Sequence, residues 1–590
     1  MGSEDEAGVV PEEALVHDRN WNDRTVRADD NSEAISDTPA ASEPDKHEKP
    51  EEGYDGHRPS LYEIRTSSRR SSRARSHTAS TTGARPGLAR TVTRSQTIVS
   101  RIRSRPVPTF THPLTRVQTT KDVIVDFDGP DDPYRPINWP THKKVVTTML
   151  YGFVTMTATW ASASYSPGTR QVSSVFHVGN EVSTLGTTLF LFGFGVGPLL
   201  WAPLSEVFGR RAAVLTPMFV AVCFSFGSAT AKDLQTLMLT RFFGAFFASA
   251  PVTNTGGVLG DLYTPAYRGI AMAGYAMAVV GGPVLGPIVS AAVTIQPSLG
   301  WRWTEYLTGI LQAVILVIAL IFIDESYAPV LLVYKARRLR HESGNWALHA
   351  RFEEWDVSIN ELARKFLIRP IQLLFTPICF LVALYASFCY GILYMQLGAI
   401  PIIFGEIRGW NLFVSELPFI CIFIGAILGC GANVYNQTLY NEAYHAVGDR
   451  AVPEKRLPPM MVGSVLFSAG QFLVGSTGGR IDIHWIVPCI GLVMLGTGFF
   501  TIFQAALNYL VDTFQAYAAS AIAANTFLRS CFAGAFPLVV GPMYHNIGVG
   551  PGSSITGGFT ALLIPVPYVF YFYGKRIRAR SKWSKASVFD

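Results

Sequence analysis

Charge is scarce in this chain. Asp, Glu, Lys and Arg make up 16% of its 590 residues, against about 25% in a typical soluble protein. Mean hydropathy is +0.24, although the first 140 residues are strongly polar. These figures exclude an ordinary cytosolic enzyme, a collagen-like chain and a mainly disordered protein. Paired cysteines are lacking too. Cys223, Cys379, Cys389, Cys421, Cys430, Cys489 and Cys531 all lie in or beside apolar runs, and none has a Cys-x-x-Cys or Cys/His spacing. That excludes a disulfide scaffold and leaves small apolar packing residues. No catalytic cluster stands out: past the N-terminal segment the histidines are scattered, mostly in loops (His177, His341, His349, His445, His545). The sequence therefore predicts no enzyme, no metal and no cofactor. The first 25 residues are acidic and have no apolar core, so no cleaved signal peptide is expected.

The net charge of +6 is unevenly spread. Residues 1–53 are acidic, and residues 65–105 are rich in Arg, Ser and Thr, with Arg69-Arg70-Ser71-Ser72 and Arg73-Ala74-Arg75-Ser76 resembling kinase sites. The basic stretch has no folded-domain pattern and precedes a membrane region. It reads as a disordered tail near an anionic leaflet, not as a nucleic-acid-binding surface.

A membrane-spanning helix needs about 20 mostly apolar residues. Such runs lie at 145–165, 185–204, 212–231, 236–258, 269–295 and 306–323, then at 372–400, 413–435, 458–477, 484–506, 516–541 and 556–573. Open sheet edges cannot sit in lipid, so the runs are helices. The fold class is an all-α membrane protein with twelve transmembrane helices in two six-helix halves. The boundaries are a disordered tail 1–140, a first half 141–323, a linker 324–369, a second half 370–575 and a C-terminal tail 576–590. Lys and Arg concentrate in alternate loops, including Arg210, Arg211 and Arg268, linker residues Lys335, Arg337, Arg338 and Arg340, and Lys575, Arg576, Arg578 and Arg580. The positive-inside rule then places both termini in the cytosol. Two six-helix units joined by a linker suit alternating access, with a substrate held between them near the midplane.

Three segments carry chemistry. Between the second and third runs stands Gly197-Pro198-Leu199-Leu200-Trp201-Ala202-Pro203-Leu204-Ser205-Glu206-Val207-Phe208-Gly209-Arg210-Arg211. Gly209 permits a tight turn, Glu206 can pair with Arg210 or with a helix end of the other half, and Arg211 adds positive charge. Such a latch can bias one conformational state. The other reading is a plain topology signal. In the fifth run, Ala278-Val279-Val280-Gly281-Gly282-Pro283-Val284-Leu285-Gly286-Pro287 combines close approach at Gly282 and Gly286 with a bend at Pro283. In the fourth run, Arg241-Phe242-Phe243-Gly244 puts a cation inside the membrane, near the outer third of its helix, where it acts in function or snorkels to the interface.

These segments resemble the major facilitator superfamily, in the form of the fungal twelve-helix drug:proton antiporters. The first resembles its loop signature Gly-x-Leu-Ala-Asp-Arg-x-Gly-Arg-Lys, with Ala202, Glu206, Val207 and Arg211 as departures; Val207 removes one basic partner. The second resembles the antiporter motif Gly-x-x-x-Gly-Pro-x-x-Gly-Gly, departing at Ala278 and Pro287, and implies export rather than uptake. The third implies proton transfer at Arg241. Further support comes from Asn138-Trp139-Pro140, Gly300-Trp301-Arg302-Trp303, Glu325-Ser326-Tyr327-Ala328-Pro329, Pro453-Glu454-Lys455-Arg456-Leu457 and Arg529-Ser530. The resemblance runs from about 135 to 583.

Candidates to line a substrate cavity are Phe194, Trp201, Asn254, Tyr390, Tyr394, Phe499, Phe500, Gln504 and Asn525; the alternative is that these side chains face lipid or other helices. Glu416 is a further cavity candidate; the alternative is that water solvates it near the outer end of its run. The expectation is a monomeric proton-driven exporter of drugs, toxins or secondary metabolites. It works in the lipid bilayer of the plasma membrane, or alternatively of the vacuole, with a small-molecule substrate and protons as partners. The alternatives are a polyamine exporter of the same family and a proton-coupled nutrient symporter. Arg241 and Glu206 are the expected proton-coupling residues, with Gly209, Arg210 and Arg211 as gating candidates.

Overall fold

The computed structural model describes residues 123–354, 367–448, 451–581 and 583–584. The expected tail through residue 122, with its kinase-like sites, and the last six residues lie outside the described residues. Twelve helices form the body. In the first half they are α1 (Thr141–Ala163), α2 (Asn180–Phe208), α3 (Arg210–Ala229), α4 (Leu234–Ala248 continued by Ala250–Leu262), α5 (Pro265–Thr294) and α6 (Arg302–Phe322). In the second they are α7 (Pro377–Ile407), α8 (Leu412–Ala446), α9 (Pro458–Gly478), α10 (Ile486–Thr513), α11 (Ala518–Ile547) and α12 (Val549–Arg580).

Ten of these are long and apolar enough to cross a membrane. The other two, α1 and α4, differ for local reasons. Helix α1 opens with His142, Lys143 and Lys144 and is rich in threonine. Helix α4 is interrupted at Ser249, just before Pro251. Both are packed inside the first half, α1 against α5 and α6, and α4 against α2 and α3. Neighbouring helices thus supply the contacts that apolar length supplies elsewhere.

Each half has its own core. Tyr151, Val154, Phe190, Phe194, Val214, Met218 and Leu316 fill the first. The core of the second, around Tyr385, Phe419, Phe467, Leu495, Phe499 and Tyr509, also takes in Ala163, Leu191, Ala276, Val280 and Val284 of the first half. The halves meet where α2 packs on α11 and α5 on α8. A twofold relation that exchanges helix n with helix n+6 interchanges these two contacts, as expected of two parallel repeats.

One boundary needs correction. The polar tail was expected to lack structure to residue 140, but residues 123–140 are folded. Ile124–Val125 (β1) pairs in parallel with His349–Ala350 (β2) of the linker. The linker itself carries a helix, Ala328–Ser343. Lys335 on that helix is buried and bonds the Asp132 carboxylate at 2.7 Å and the Asp126 carbonyl at 3.0 Å. Composition concealed this because few apolar groups are involved: Val125, Leu332, Ala336 and Ala350 form a small core, and a charge clamp closes it.

Burial opposes the charge on Asp132. The bond from Lys335 and the amides of Asp128 and Tyr134 outweigh it and hold the carboxyl below its usual range. For Lys335, burial likewise opposes the charge, and Asp132 and Asp128 raise its pKa above the ordinary lysine value. The clamp's contribution is therefore full between about pH 4 and 10. It is lost as pH falls through the lowered Asp132 value or rises through the raised Lys335 value. Lys335→Met, which removes the cation and leaves the buried carboxylate with two backbone amides, is expected to cost about 3 kcal/mol locally, the low end for a broken buried pair. Hydrogen exchange at residues 123–139 should then speed up at neutral pH while the helical core stays protected. Unchanged exchange would show that the clamp contributes nothing.

Candidate functional site

Arg241 is 2% exposed, in the second turn of α4. It forms an ion pair with Glu305 near the start of α6. Its remaining donors reach the carbonyls of Gly186 at 3.0 Å and Ala161 at 3.2 Å. Its planar face lies over the rings of Tyr165 at 4.2 Å and Phe190 at 5.0 Å. One guanidinium thus ties together α1, α2, α4 and α6. Snorkelling is excluded, because every direction from the group is occupied by protein. The sequence reading missed Glu305. The available signal was depth: α4 and α6 enter from the same face, so an acid in the first turn of α6 lies near the level of Arg241.

The α5 segment lies against both halves. A methyl group at Gly282 would meet the backbone of α1, at 2.6 Å from the Trp160 nitrogen and 2.7 Å from the Met156 oxygen. Gly286 has the Trp160 oxygen at 3.2 Å. On its other side, Pro283 and Val284 border a small crevice with Leu393, Tyr394, Leu397 and Phe419 of α7 and α8. The small residues thus seat α5 on α1, and its bent face meets the second half.

The loop between α2 and α3 is built differently from expectation. Gly209 has a φ of +91°, the left-handed region that favours glycine. The Glu325 carboxylate stands where its Cβ would be. Glu325 accepts the amides of Arg210 at 2.9 Å and Arg211 at 3.1 Å, so an anion caps the N-terminus of α3. The Arg210 side chain bonds Asp261, at the end of α4, at 3.2 Å and the Ser205 hydroxyl at 2.9 Å. Arg211 reaches the Leu320 carbonyl at 3.1 Å. Glu206 is half-buried and within electrostatic reach of Arg210; the bond from Arg210 to Asp261 is an addition to the expected set. This charge network joins the first half to the start of the linker, at Glu325. The second half repeats the design: Arg456 bonds Asp512 at the end of α10 at 2.9 Å, and Glu454 bonds Arg578 at 2.7 Å.

Among the cavity candidates, Tyr390, Tyr394 and Phe499 come together. Tyr390 lies 5.1 Å from Tyr394, 5.8 Å from Phe499 and 6.1 Å from Phe503, ring centre to ring centre. Arg529 of α11, quoted from sequence only as part of a resembling stretch, covers Tyr390 at 4.5 Å and Phe503 at 5.0 Å. Gln504 and Asn525 are buried, and neither side-chain amide has a hydrogen-bond partner among the described residues. Asn254 is buried with its amide nitrogen unbonded. Three candidates belong elsewhere. Phe194 stacks on Phe190 inside the first core. Trp201 is locked by its bond to the Phe246 carbonyl at 2.7 Å. Phe500 packs against α8 at Gly429.

On the face opposite the linker, the halves are joined. Ser162 of α1 bonds Tyr394 of α7 at 2.8 Å, and Ser166 bonds the Leu397 carbonyl at 3.2 Å. Arg170 pairs with Glu406 at the end of α7, which also bonds His545 at the end of α11 at 2.8 Å. Beneath this seam lies Glu416. It is 1% exposed, and neither carboxylate oxygen has a hydrogen-bond partner among the described residues. Its turn packs against α5 and the end of α7. The alternative that water solvates it is corrected: the π-helical end of α7 (Pro401–Ile407) folds over it.

The Major Facilitator Superfamily profile matches residues 148–537. Efflux pump bik6 of Gibberella fujikuroi is 48% identical over 467 residues, spanning 79% of this chain and 96% of that one. The multidrug transporter FLU1 of Candida albicans is 41% identical, over 78% and 76% of the two chains. The citrinin biosynthesis cluster transporter mrr1 of Monascus ruber is 40% identical, over 78% and 92%. Among solved structures, the proton:xylose symporter XylE bound to 6-bromo-6-deoxy-D-glucose superposes with a TM-score of 0.54. It is 16% identical and the match covers 73% of this chain and 97% of that one, a likeness of fold.

Proposed function

We propose that this chain, which belongs to the Major Facilitator Superfamily, exports small organic compounds in exchange for protons. Three relatives whose names describe efflux, multidrug transport and a biosynthetic cluster transporter support the direction and cargo. The observation that carries the reading is the place of α5. Gly282 and Gly286 fix it to α1, Pro283 and Val284 meet α7 and α8, and the buried Glu416 lies beside it.

The two halves, 141–323 and 370–575, rock about the contacts α2–α11 and α5–α8. The linker face is cytosolic, with both termini, and the protein works as a monomer in the plasma membrane. Closing the outer face buries Glu416; opening it lets water reach the carboxyl. A carboxyl without donors in an apolar setting has its ionisation tied to that access, which gives the cycle a proton-dependent step. Arg241 and Glu305 hold the first half in register beside it. A polyamine cargo is disfavoured, because the charged group at the aromatic cluster among the described residues is the cation Arg529.

The test is retention in cells. Yeast depleted of its own exporters and expressing this chain should hold less labelled drug than control cells, and a protonophore should abolish the difference. Glu416→Gln, close in shape and unable to ionise, should remove the protonophore-sensitive part and reduce export by about tenfold or more. Greater accumulation in expressing cells would contradict export. Full activity in the Gln variant would remove Glu416 from the coupling.

A further inference from the structure

Among the described residues, two buried arginines are set over pairs of aromatic rings, and they differ in one respect. Arg241 lies over Tyr165 and Phe190, and its donors are taken by Glu305 and two backbone carbonyls. Arg529 lies over Tyr390 and Phe503, is 3% exposed, and has no ion pair or hydrogen bond among the described residues. Rings engage the face of a guanidinium. Its five N–H donors lie in the plane and need acceptors at the edge. Arg241 has them; Arg529 does not, and its Nε is buried without one.

The surroundings of Arg529 are unsatisfied in the same sense. Asn525 lies one turn earlier on α11, so it shares a face with Arg529, and both of its amide atoms are buried without partners. Gln504, next to Phe503, is in the same condition. The groups that face the guanidinium from α5 and α7 are tyrosine hydroxyls, Tyr275 and Tyr394, not carboxylates. The position is also at the seam between halves: Ser530 packs against Gly195 of α2, and Tyr275 belongs to the first half. Buried polar groups are almost always paired. Two unpaired amides, on the helices that carry Arg529 and Phe503, accompany a buried cation without an anionic partner among the described residues, at the seam between the halves.

We propose that Arg529, with Asn525, Gln504 and the rings of Tyr390 and Phe503, forms a substrate subsite for aromatic organic anions such as aromatic carboxylates and acidic phenols. The guanidinium fork takes the carboxylate or phenolate oxygen in the geometry that Glu305 offers Arg241. The rings flank the cargo's aromatic body, and the two amides take its hydroxyl or carbonyl groups. This rests on the reading of the chain as a transporter and names the cargo that such a transporter selects.

The test is binding to the purified full-length chain in detergent at pH 7.5. 2-Naphthoate, ionised at that pH, is compared with 2-naphthamide, its neutral counterpart. The wild type should bind naphthoate about tenfold or more tightly than naphthamide, as expected for a charge-assisted fork. Arg529→Gln should lose that preference, and Arg529→Lys should keep part of it. Equal affinities in the folded wild type, no binding of either compound, or a preference that survives in Arg529→Gln would overturn the proposal. The wild-type comparison stands even where a variant fails to fold. Binding needs no gradient, so a chain that selects naphthoate through Arg529 but accumulates it in cells would refute export and leave the subsite in place.

Discussion

Arg241→Met is expected to destabilise the folded chain by about 3–5 kcal/mol, because it leaves Glu305 charged, buried and unpaired. Glu305→Met should do the same by stranding the guanidinium. The double replacement should recover most of the loss, since an apolar pair of similar volume is often as stable as the ion pair it replaces. Function separates the two roles of the pair. If Arg241 and Glu305 only hold α1, α2, α4 and α6 together, the double variant should export normally. If their charges also took part in coupling, it would fold and fail to export; the holding role proposed above predicts normal export, and that is the expected result. Thermal unfolding in detergent, read with drug retention in cells, tests this. A single Arg241→Met variant that melts like the wild type would contradict the burial and pairing seen here.

The second large effect is steric. Gly282→Ala adds one methyl group where the backbone of α1 stands 2.6–2.7 Å away, at the Trp160 nitrogen and Met156 oxygen. Those atoms belong to a helix and cannot turn aside as a side chain would. Overpacking of this kind costs about 1–3 kcal/mol or more. Helix α5 meets both α1 and the second half, so the cost falls on the contact that the transport cycle must rearrange. Export should drop by about tenfold, the rate equivalent of ~1.4 kcal/mol, with the protein still present in the membrane. Gly256→Ala, on α4 with nothing within 4 Å of the added atom, should be silent. Equal activity in the two variants would show that α5 does not depend on close approach.

The helices and their grouping were legible in the sequence because lipid demands long apolar runs and internal backbone bonding. Gly209 was legible as a turn, and Gly282 as a close contact, because few residues other than glycine serve there. Charge partners were not. Spacing offers Glu206 either Arg210 or a helix end of the other half, but it does not reveal the bond from Arg210 to Asp261, fifty-one residues on. Glu305 was unmarked, and Glu325 stood only within a resembling stretch, because their roles depend on which helices become neighbours, and hydropathy does not encode that. Glu416 could be read as solvated because hydropathy does not show that the end of α7, a short way before it in the chain, folds back over it. The folded segment 123–140 was hidden by its polar composition, since a clamp between Lys335 and Asp132 replaces the usual apolar signal. The aromatic cluster was picked out by residue type, while Arg529, its one cation, was noticed only as part of a resembling stretch.

The central claim is exchange: a proton enters as an organic compound leaves. The most direct measurement places the purified chain in sealed vesicles of one orientation, imposes a pH difference across the membrane, and follows a labelled cargo and internal pH together. The account predicts that cargo moves against the direction of proton flow, that each movement stops when the pH difference is dissipated, and that Glu416→Gln breaks the link between the two. Cargo and protons moving in the same direction, or cargo movement indifferent to the pH difference, would contradict it.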